Sequence, residues 1–215
     1  MRDQESSSAF GRIADYYDRL VNKYGHDPRA ADYGRASSQA AKFKVLAEAL
    51  PLNGASVLDV GCGFADFADF ILALHRDVEY HGIDVSPRMV EEARKLHPGV
   101  DIRNENLTSV KGESKYDLVV ANGIFYLLGE DAWGAMQQLI KRMFILARRA
   151  VAFNTLSTWA TVQEPGEFYA CPEKTLEFCR TLTPRIVLRH DYLRHDFTIY
   201  LYRDHFQECD EERTS

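Results

Sequence analysis

Seven short segments of the chain are rich in apolar residues, and stretches with helical periodicity separate most of them. Several of these segments are almost continuously apolar, which is typical of strands that are covered on both faces. The segments are SVLDV (56–60), EYHGID (79–84), VDIRN (100–104), YDLVVA (116–121), AVAFNTL (150–156), RIVLRHDY (185–192) and FTIYLYR (197–203). The pattern therefore predicts seven strands with helices between most of them.

Helix signals lie between the predicted strands. Ser86 followed by Pro87 is typical of an N-cap and a first helical position. Apolar residues recur at helical spacing after this pair, and again in a segment that begins near Glu130. The two apolar faces consist of Met89, Val90, Ala93 and Leu96, and of Trp133, Met136, Ile140, Met143 and Ala147. This alternation predicts an α/β fold, a doubly wound and mostly parallel sheet with helices on both sides.

The last two predicted strands differ from the others. Only HDYLRHD separates them, which is too short for a helix that crosses back over the sheet. We therefore expect the final strand to run antiparallel to the strand before it.

The first 50 residues carry helical patterns without a strand. From Ala9 to Leu50 the chain is rich in alanine and aromatic residues, with a break at YGHDPRAADYG, where glycine and proline interrupt the pattern. We interpret this region as two helices that end at Pro51. The predicted organisation is a helical cap over residues 1–50 and an α/β core over residues 51–215, within one structural unit.

Composition limits the classes of function. The chain has 215 residues, of which 46% are hydrophobic, enough for one domain with a sizeable core, and its net charge of -6 does not favour nucleic acid or an anionic membrane. No signal peptide pattern is present, and the longest apolar run, LVVANGIFYLL, is too short to span a bilayer. The cysteines are too scattered for a disulfide scaffold or a zinc site: Cys62, Cys171, Cys179 and Cys209. We expect a cytoplasmic protein without a metal, a monomer or homodimer acting on a small molecule.

A glycine turn follows the first predicted strand. Gly61 and Gly63 come directly after Asp59 and allow a ligand to approach the backbone closely. A dinucleotide fingerprint would need a small residue where Asp66 stands, and two carboxylates so close would repel a pyrophosphate. The charges favour a cationic ligand over NAD.

Asp84, at the end of the second predicted strand, narrows the choice of ligand. It lies about 20 residues beyond the glycine turn, where an acidic side chain meets ribose hydroxyls in nucleoside-binding sheets. S-adenosylmethionine (SAM) combines a ribose with a sulfonium and an ammonium group. The two observations together favour SAM.

Three motifs in this order resemble those of the class I SAM-dependent methyltransferases. They are VLDVGCGFADF after the first strand, YHGIDVSPRMVEEAR at the second and YDLVVANGIFYLL at the fourth. The resemblance covers the chain from about Phe10 to Arg203 and implies a Rossmann-like sheet of order 3-2-1-4-5-7-6. The chain departs from the family pattern at Ala65, where a third glycine is usual, and at Asn106, where an aspartate is common.

The resemblance also implies the cofactor contacts. The glycine turn and Asp59 would surround the methionine portion, Asp84 the ribose, and Val85 the adenine face, with Asn106 and Leu107 beside the adenine amino group. The predicted set is Tyr17, Tyr33, Asp59, Gly61, Cys62, Gly63, Asp84, Val85, Met89, Asn106, Leu107 and Asn122.

The acceptor is expected at the carboxyl ends of the fourth and fifth strands, below the cap. The predicted substrate residues are Tyr17, Gly123, Tyr126, Asn154 and Ser157. Alignment of the reactants can carry most of the catalysis. Where a proton must leave, His190 and His195, which bracket the last turn, are the candidate bases.

The function expected from these residues is transfer of a methyl group from SAM to an oxygen or nitrogen of a small metabolite. The alternatives are a SAM-binding regulatory protein without turnover and, against the charges described above, an NAD-dependent oxidoreductase. No NPPY-like tetrapeptide follows the fourth strand, where ANGIF stands, so the usual sign of methylation on a base amine is missing.

Overall fold

The computed structural model describes residues 2–31, 36–75 and 77–203 of the chain, and within these ranges seven strands and six α-helices form. The strands are β1 Ser56–Val60, β2 Glu79–Asp84, β3 Asp101–Asn104, β4 Tyr116–Ala121, β5 Ala147–Leu156, β6 Ile186–Arg189 and β7 Asp196–Tyr202. The helices are α1 Arg2–Tyr24, α2 Ala36–Ala47, α3 Asp66–Leu74, α4 Pro87–Leu96, α5 Ala132–Leu146 and α6 Pro172–Arg180, with short 3-10 helices at Pro28–Ala31 and Leu107–Ser109.

The strands form one sheet of order β3-β2-β1-β4-β5-β7-β6. The strands from β3 to β5 in this order pair in parallel, whereas β7 pairs antiparallel with both β5 and β6. The predicted strand order and the reversed last strand are confirmed. The short connection between β6 and β7 forces the reversal, because it leaves no room for a crossover helix.

β5 is longer than the sequence pattern indicates. It begins at Ala147, three residues before the predicted start, because Arg148 and Arg149 break the apolar run without ending the strand. Nε of Arg148 lies 3.3 Å from Oδ1 of Asp117 on β4, so a salt bridge at the sheet surface accommodates this charge. β6, in contrast, ends at Arg189, so the last three residues of the predicted strand, 190–192, lie outside it.

Two apolar cores cover the two faces of the sheet. Phe153 and Phe197 are buried in the core beneath α5, and Leu118 in the core beneath α2, α3 and α4. The predicted strands with little polar character are thus buried on both sides, as parallel sheets require. None of the described helices is long and apolar enough to cross a bilayer.

The two N-terminal helices pack differently. α1 begins at Arg2, earlier than the expected Ala9, and lies against α4. α2 packs on the sheet, where Phe43 and Leu46 are buried and the hydroxyl of Tyr200 donates a hydrogen bond to the carbonyl oxygen of Val45. Both helices reach the carboxyl ends of the parallel strands and cover the site described next.

Candidate active site

A cavity of about 250 Å³ lies at the carboxyl ends of the parallel strands, beneath α1 and α2. This is the edge of an open α/β sheet where ligands bind. Thirteen of the sequence-predicted residues line it: Tyr17, Asp59, Gly61, Cys62, Gly63, Asp84, Val85, Met89, Asn106, Leu107, Asn122, Gly123 and Tyr126. Tyr33 lies outside the described residues.

The two glycines of the turn are needed for different reasons. Gly61 has φ +71°, and a Cβ there would lie 2.4 Å from Cγ2 of Ile124, so the packing of the protein itself excludes a side chain. Gly63 has φ +55°, but a Cβ there would meet nothing within 4 Å among the described residues. Because Gly63 faces the cavity, its bare backbone fits a ligand that approaches closely.

Ala65, where the resemblance leads us to expect glycine, carries backbone strain. Its φ of 62° is left-handed, and it stands directly before the first residue of α3. Left-handed backbone costs a residue with a side chain about 1 to 2 kcal/mol. The departure from glycine is therefore tolerated at a conformational cost.

Asp84 holds the glycine turn in place. Its Oδ2 accepts a hydrogen bond from the backbone N–H of Gly63 at 2.9 Å. Its Oδ1 accepts one from the backbone N–H of Ser86 at 2.8 Å. Burial raises the pKa of this carboxyl, and the two backbone hydrogen bonds oppose the rise. Each carboxylate oxygen can accept a further hydrogen bond, which leaves capacity for the hydroxyls of a ribose.

Asp59 is a second buried carboxyl at this end of the cavity. Its Oδ2 accepts a hydrogen bond from the hydroxyl of Tyr80 at 2.8 Å. Burial raises its pKa to about 7, the tyrosine opposes that rise, and the nearby charges of Asp84 and Asp66 add to it. A cation bound beside Asp59 would favour the ionised form, because opposite charges lower the pKa of an acid. We call Asp59, Asp84 and the turn 61–63 the cofactor end.

Asn106 and Leu107 lie beyond β3 in the cavity wall. The side-chain oxygen of Asn106 accepts hydrogen bonds from the N–H and the hydroxyl of Thr108, at 3.0 and 3.1 Å. This oxygen caps the short 3-10 helix, so a polar contact to a base would come from the amino group of Asn106 or from the main chain.

Hydrogen bonds hold α1 over the cavity at two points. The hydroxyls of Tyr17 and Tyr126 are 2.6 Å apart, which joins α1 to the segment after β4. One carboxylate oxygen of Asp18 accepts hydrogen bonds from Oγ of Ser86, at 2.6 Å, and from the N–H of Arg88, at 3.2 Å. Since Ser86 also binds Asp84, α1 is linked directly to the cofactor end.

Comparison with known proteins agrees with this geometry. A family model described as a methyltransferase domain matches residues 58–145. A putative methyltransferase of Mycobacterium tuberculosis is 28% identical over 151 residues, which is 67% of this chain and 90% of the relative. Over its central part the chain is thus similar to methyltransferases, in agreement with the resemblance carried by its three motifs.

Other similar proteins match a smaller part or only the fold. The trans-aconitate 2-methyltransferase of Methylobacterium nodulans is 33% identical over 78 residues, 36% of this chain and 30% of the relative. The magnesium protoporphyrin IX methyltransferase of Synechocystis PCC 6803, solved with bound SAH, superposes with a TM-score of 0.67 at 17% identity, over 91% of this chain and 99% of that one. The second similarity concerns the fold alone.

Four predicted residues do not line this cavity. Asn154 is buried behind the wall, where its Oδ1 accepts a hydrogen bond from Gly123 N–H at 2.8 Å and its Nδ2 donates to Oδ1 of Asn122. Ser157 is buried too, with its Oγ 2.9 Å from Nε2 of His190. Asn154 therefore supports two wall residues, and Ser157 lies in the loop after β5.

Neither candidate base is part of the wall. The ring of His190 stacks between Trp159 and Phe197, with centroids 4.9 and 6.2 Å away. His195 is about half exposed, and its Nε2 lies 3.2 Å from Oδ2 of Asp196. The structure thus brings Asp196 to the cavity wall, whereas His190 and His195 are not among the lining residues.

Several wall residues have no counterpart in the sequence prediction, and three of them are polar residues at one end of the cavity: Lys42, Thr155 and Asp196. Lys42 comes from α2, Thr155 from the end of β5 and Asp196 from the start of β7. We call these three the acceptor end. The sequence provided only an indirect signal for two of these residues: Thr155 and Asp196 each directly follow a predicted site residue, Asn154 and His195. Among the described residues, no group of three or more histidine, cysteine or acidic side chains could hold a metal.

Proposed function

We propose that this protein transfers the methyl group of SAM to an oxygen or nitrogen atom of a small metabolite. The observation that carries the proposal is the continuity of the cavity. The same cavity that contains the glycine turn and Asp84 extends to Thr155 on β5 and lies beneath Tyr17 of α1. A small acceptor can therefore lie beside the cofactor under the two N-terminal helices.

The cofactor end supports specific roles. Asp84 accepts hydrogen bonds from the ribose hydroxyls with its remaining lone pairs, and Val85 and Leu107 flank the adenine. Gly63 allows the methionine portion close to the backbone, and Asp59 balances positive charge there. Cys62, Met89 and Asn122 complete the wall around the cofactor.

Catalysis by this chain consists mainly of positioning. SAM supplies a methyl group on a sulfonium, which is already an excellent leaving group. The wall would hold the acceptor with its lone pair directed at the methyl carbon, and the electron pair of the broken C–S bond would remain on sulfur. Holding two reactants in this geometry supplies about 7 to 11 kcal/mol of the barrier. The proton of a hydroxyl or ammonium acceptor leaves to water or to a carboxylate of the wall.

Relatives with named acceptors differ in their acceptor and do not identify the one used by this chain. One is a trans-aconitate methyltransferase and another a malonyl-[acyl-carrier protein] O-methyltransferase, and each matches little more than a third of this chain. We place the reaction in the cytoplasm, which is supported by three free cysteines, Cys62, Cys171 and Cys179.

Turnover with a panel of acceptors tests the proposal. The purified protein is incubated with SAM and with small alcohols, phenols, amines and carboxylic acids, and the formation of SAH is measured. We expect acceptor-dependent SAH with at least one compound. Stoichiometric binding of SAM without acceptor-dependent SAH would contradict the proposal and favour the alternative, a SAM-binding regulatory protein without turnover.

A further inference from the structure

Two buried polar atoms at the acceptor end lack a hydrogen bond. Four buried side-chain nitrogen or oxygen atoms have no such partner among the described residues, and two of them, Oγ1 of Thr155 and Oδ2 of Asp196, belong to side chains that line the cavity. Buried polar groups in folded proteins nearly always find a partner. Two exceptions in one cavity wall indicate that a ligand supplies the missing partners.

Thr155 stands out against a threonine on the neighbouring strand. Thr155 is 2% exposed, and its hydroxyl has no hydrogen-bond partner among the described residues. Thr198 is equally buried, but its Oγ1 lies 2.7 Å from the hydroxyl of Tyr192. Thr198 pairs with Asn154, the residue before Thr155, so the two threonines lie on adjacent strands and face opposite sides of the same sheet.

Asp196 has its charge balanced but its hydrogen bonding incomplete. Nζ of Lys42 lies 3.0 Å from its Oδ2, and Nε2 of His195 lies 3.2 Å from the same atom. Neither nitrogen approaches this oxygen along a hydrogen-bond direction. An oxygen at ion-pair distance from two nitrogens, and still without a directed donor, is suited to an O–H or N–H group of a ligand.

The charges of the wall select the kind of ligand. In the described part of the wall, Lys42 is the one cationic side chain, and Asp196 already pairs with it. Glu167 adds a further carboxylate to the wall. Apart from the sulfonium of the cofactor, an acceptor with its own carboxylate would find no spare positive charge in the described wall, where charges interact strongly.

We propose that Thr155 and Asp196 form the subsite that recognises the methyl acceptor, and that this subsite takes a small alcohol or amine rather than a carboxylate. The proposal rests on the proposed function and concerns recognition of the acceptor, not the bond changes. Lys42 and His195 act as positioning residues that hold the carboxylate of Asp196 in the wall.

Three matched probes test the subsite: benzyl alcohol, benzylamine and benzoate. They share a ring that suits the apolar wall residues Phe10, Ile13 and Phe125. They differ in whether the polar group can donate a hydrogen bond. Binding to the SAH-loaded protein is measured by ligand-observed NMR. We expect benzyl alcohol or benzylamine to bind at least tenfold more tightly than benzoate, and the better of the two shows whether the natural acceptor is an alcohol or an amine.

Thr155→Val is the decisive variant, and Thr198→Val is its control. We expect Thr155→Val to weaken the better donor probe by at least threefold without loss of SAH affinity or of melting temperature. Thr198→Val should leave probe affinity unchanged while lowering the melting temperature. Asp196→Asn should also weaken the donor probes, but it deprives Lys42 of its charge partner, so the conclusion depends on Thr155.

Each of the following results would overturn the proposed subsite. Equal or tighter binding of benzoate would show that the wall accepts an anion, and unchanged probe affinity in Thr155→Val would remove the hydroxyl from recognition. SAH binding without binding of either donor probe would contradict the subsite alone. Failure of the wild-type protein to bind SAH would contradict the proposed function, and the subsite with it.

Discussion

The two ends of the cavity differ in how their buried polar atoms are bonded. At the cofactor end, each oxygen of Asp84 accepts a backbone hydrogen bond and Asp59 accepts one from Tyr80. At the acceptor end, Thr155 and Asp196 each keep a buried oxygen without a hydrogen bond from the described residues. A site that the protein holds in place loses little freedom on binding. The cofactor end is thus rigid before binding, and the acceptor end is completed by its ligand.

The largest expected effect is a difference in stability between two variants of the glycine turn, Gly61→Ala and Gly63→Ala. Gly61→Ala combines a clash with Ile124 and left-handed backbone, so we expect it to lower the free energy of unfolding by roughly 3 to 5 kcal/mol. Gly63→Ala meets open space and should cost only about 1 to 2 kcal/mol while weakening SAM binding. Chemical denaturation and calorimetry check the pair, and equal losses of stability would contradict the division of roles.

Removal of Asp84 should abolish most of the cofactor affinity. Asp84→Ala deletes the ribose acceptor and releases the N–H groups of Gly63 and Ser86, so SAM affinity should fall about 100-fold, or about 2.7 kcal/mol. The measurement is calorimetric titration with SAM and SAH. Asp101→Ala, which removes an exposed carboxylate at the start of β3, is the control and should bind normally. Unchanged binding in Asp84→Ala would falsify the ribose assignment.

Asp59 should make stability depend on pH. Its pKa is raised from 3.8 to about 7 in the folded protein. Between pH 4 and pH 7 the folded state therefore holds a proton that the unfolded chain releases, and the free energy of unfolding falls as pH rises. The full effect is at most roughly 4 kcal/mol at 1.36 kcal/mol per pKa unit.

The variant Asp59→Asn isolates this contribution. It should remove the part of the pH slope that Asp59 supplies and raise stability at pH 8 relative to the wild type. SAM affinity of the wild type should rise as pH passes through 7, because the ionised carboxylate attracts the cation. Denaturant titrations at pH 5 and pH 8 provide the measurement, and identical slopes for the two proteins would contradict the role of burial at Asp59.

The smallest effect concerns the two threonines of β5 and β7. Thr198→Val removes a hydrogen bond to Tyr192 and should lower the free energy of unfolding by about 1 to 2 kcal/mol. Thr155→Val removes a buried hydroxyl that has no partner in the described chain and should leave stability unchanged or slightly higher. A destabilised Thr155→Val variant would show that the hydroxyl is already satisfied.

The cofactor end could be predicted from sequence because its residues are local to the strands that carry them. Asp59, Gly63 and Asp84 each lie at or just after the end of β1 or β2, and adjacent parallel strands bring those ends together. The same regularity made the strand order predictable. Only the backbone strain at Ala65 needed the structure, since a left-handed φ cannot be read from a single alanine.

The acceptor end could not be predicted because it depends on contacts between distant parts of the chain. Lys42 and Asp196 are 154 residues apart in sequence and meet only once α2 has packed on the sheet. His190 carried a plausible chemical signal, yet stacking against Trp159 and Phe197 holds it in the loop region. Side-chain type indicated chemistry here, and packing decided which side chain reached the cavity.

A crystal structure with SAH bound is the most direct test that the cofactor end binds the nucleoside and that the acceptor end stays free for the acceptor. We expect the ribose at Asp84, the adenine between Val85 and Leu107, and the methionine portion along Gly63. Thr155 and Asp196 should remain without contact to SAH. A nucleoside lying against β5 and β7, or hydrogen bonds from SAH to Thr155 and Asp196, would contradict this expectation.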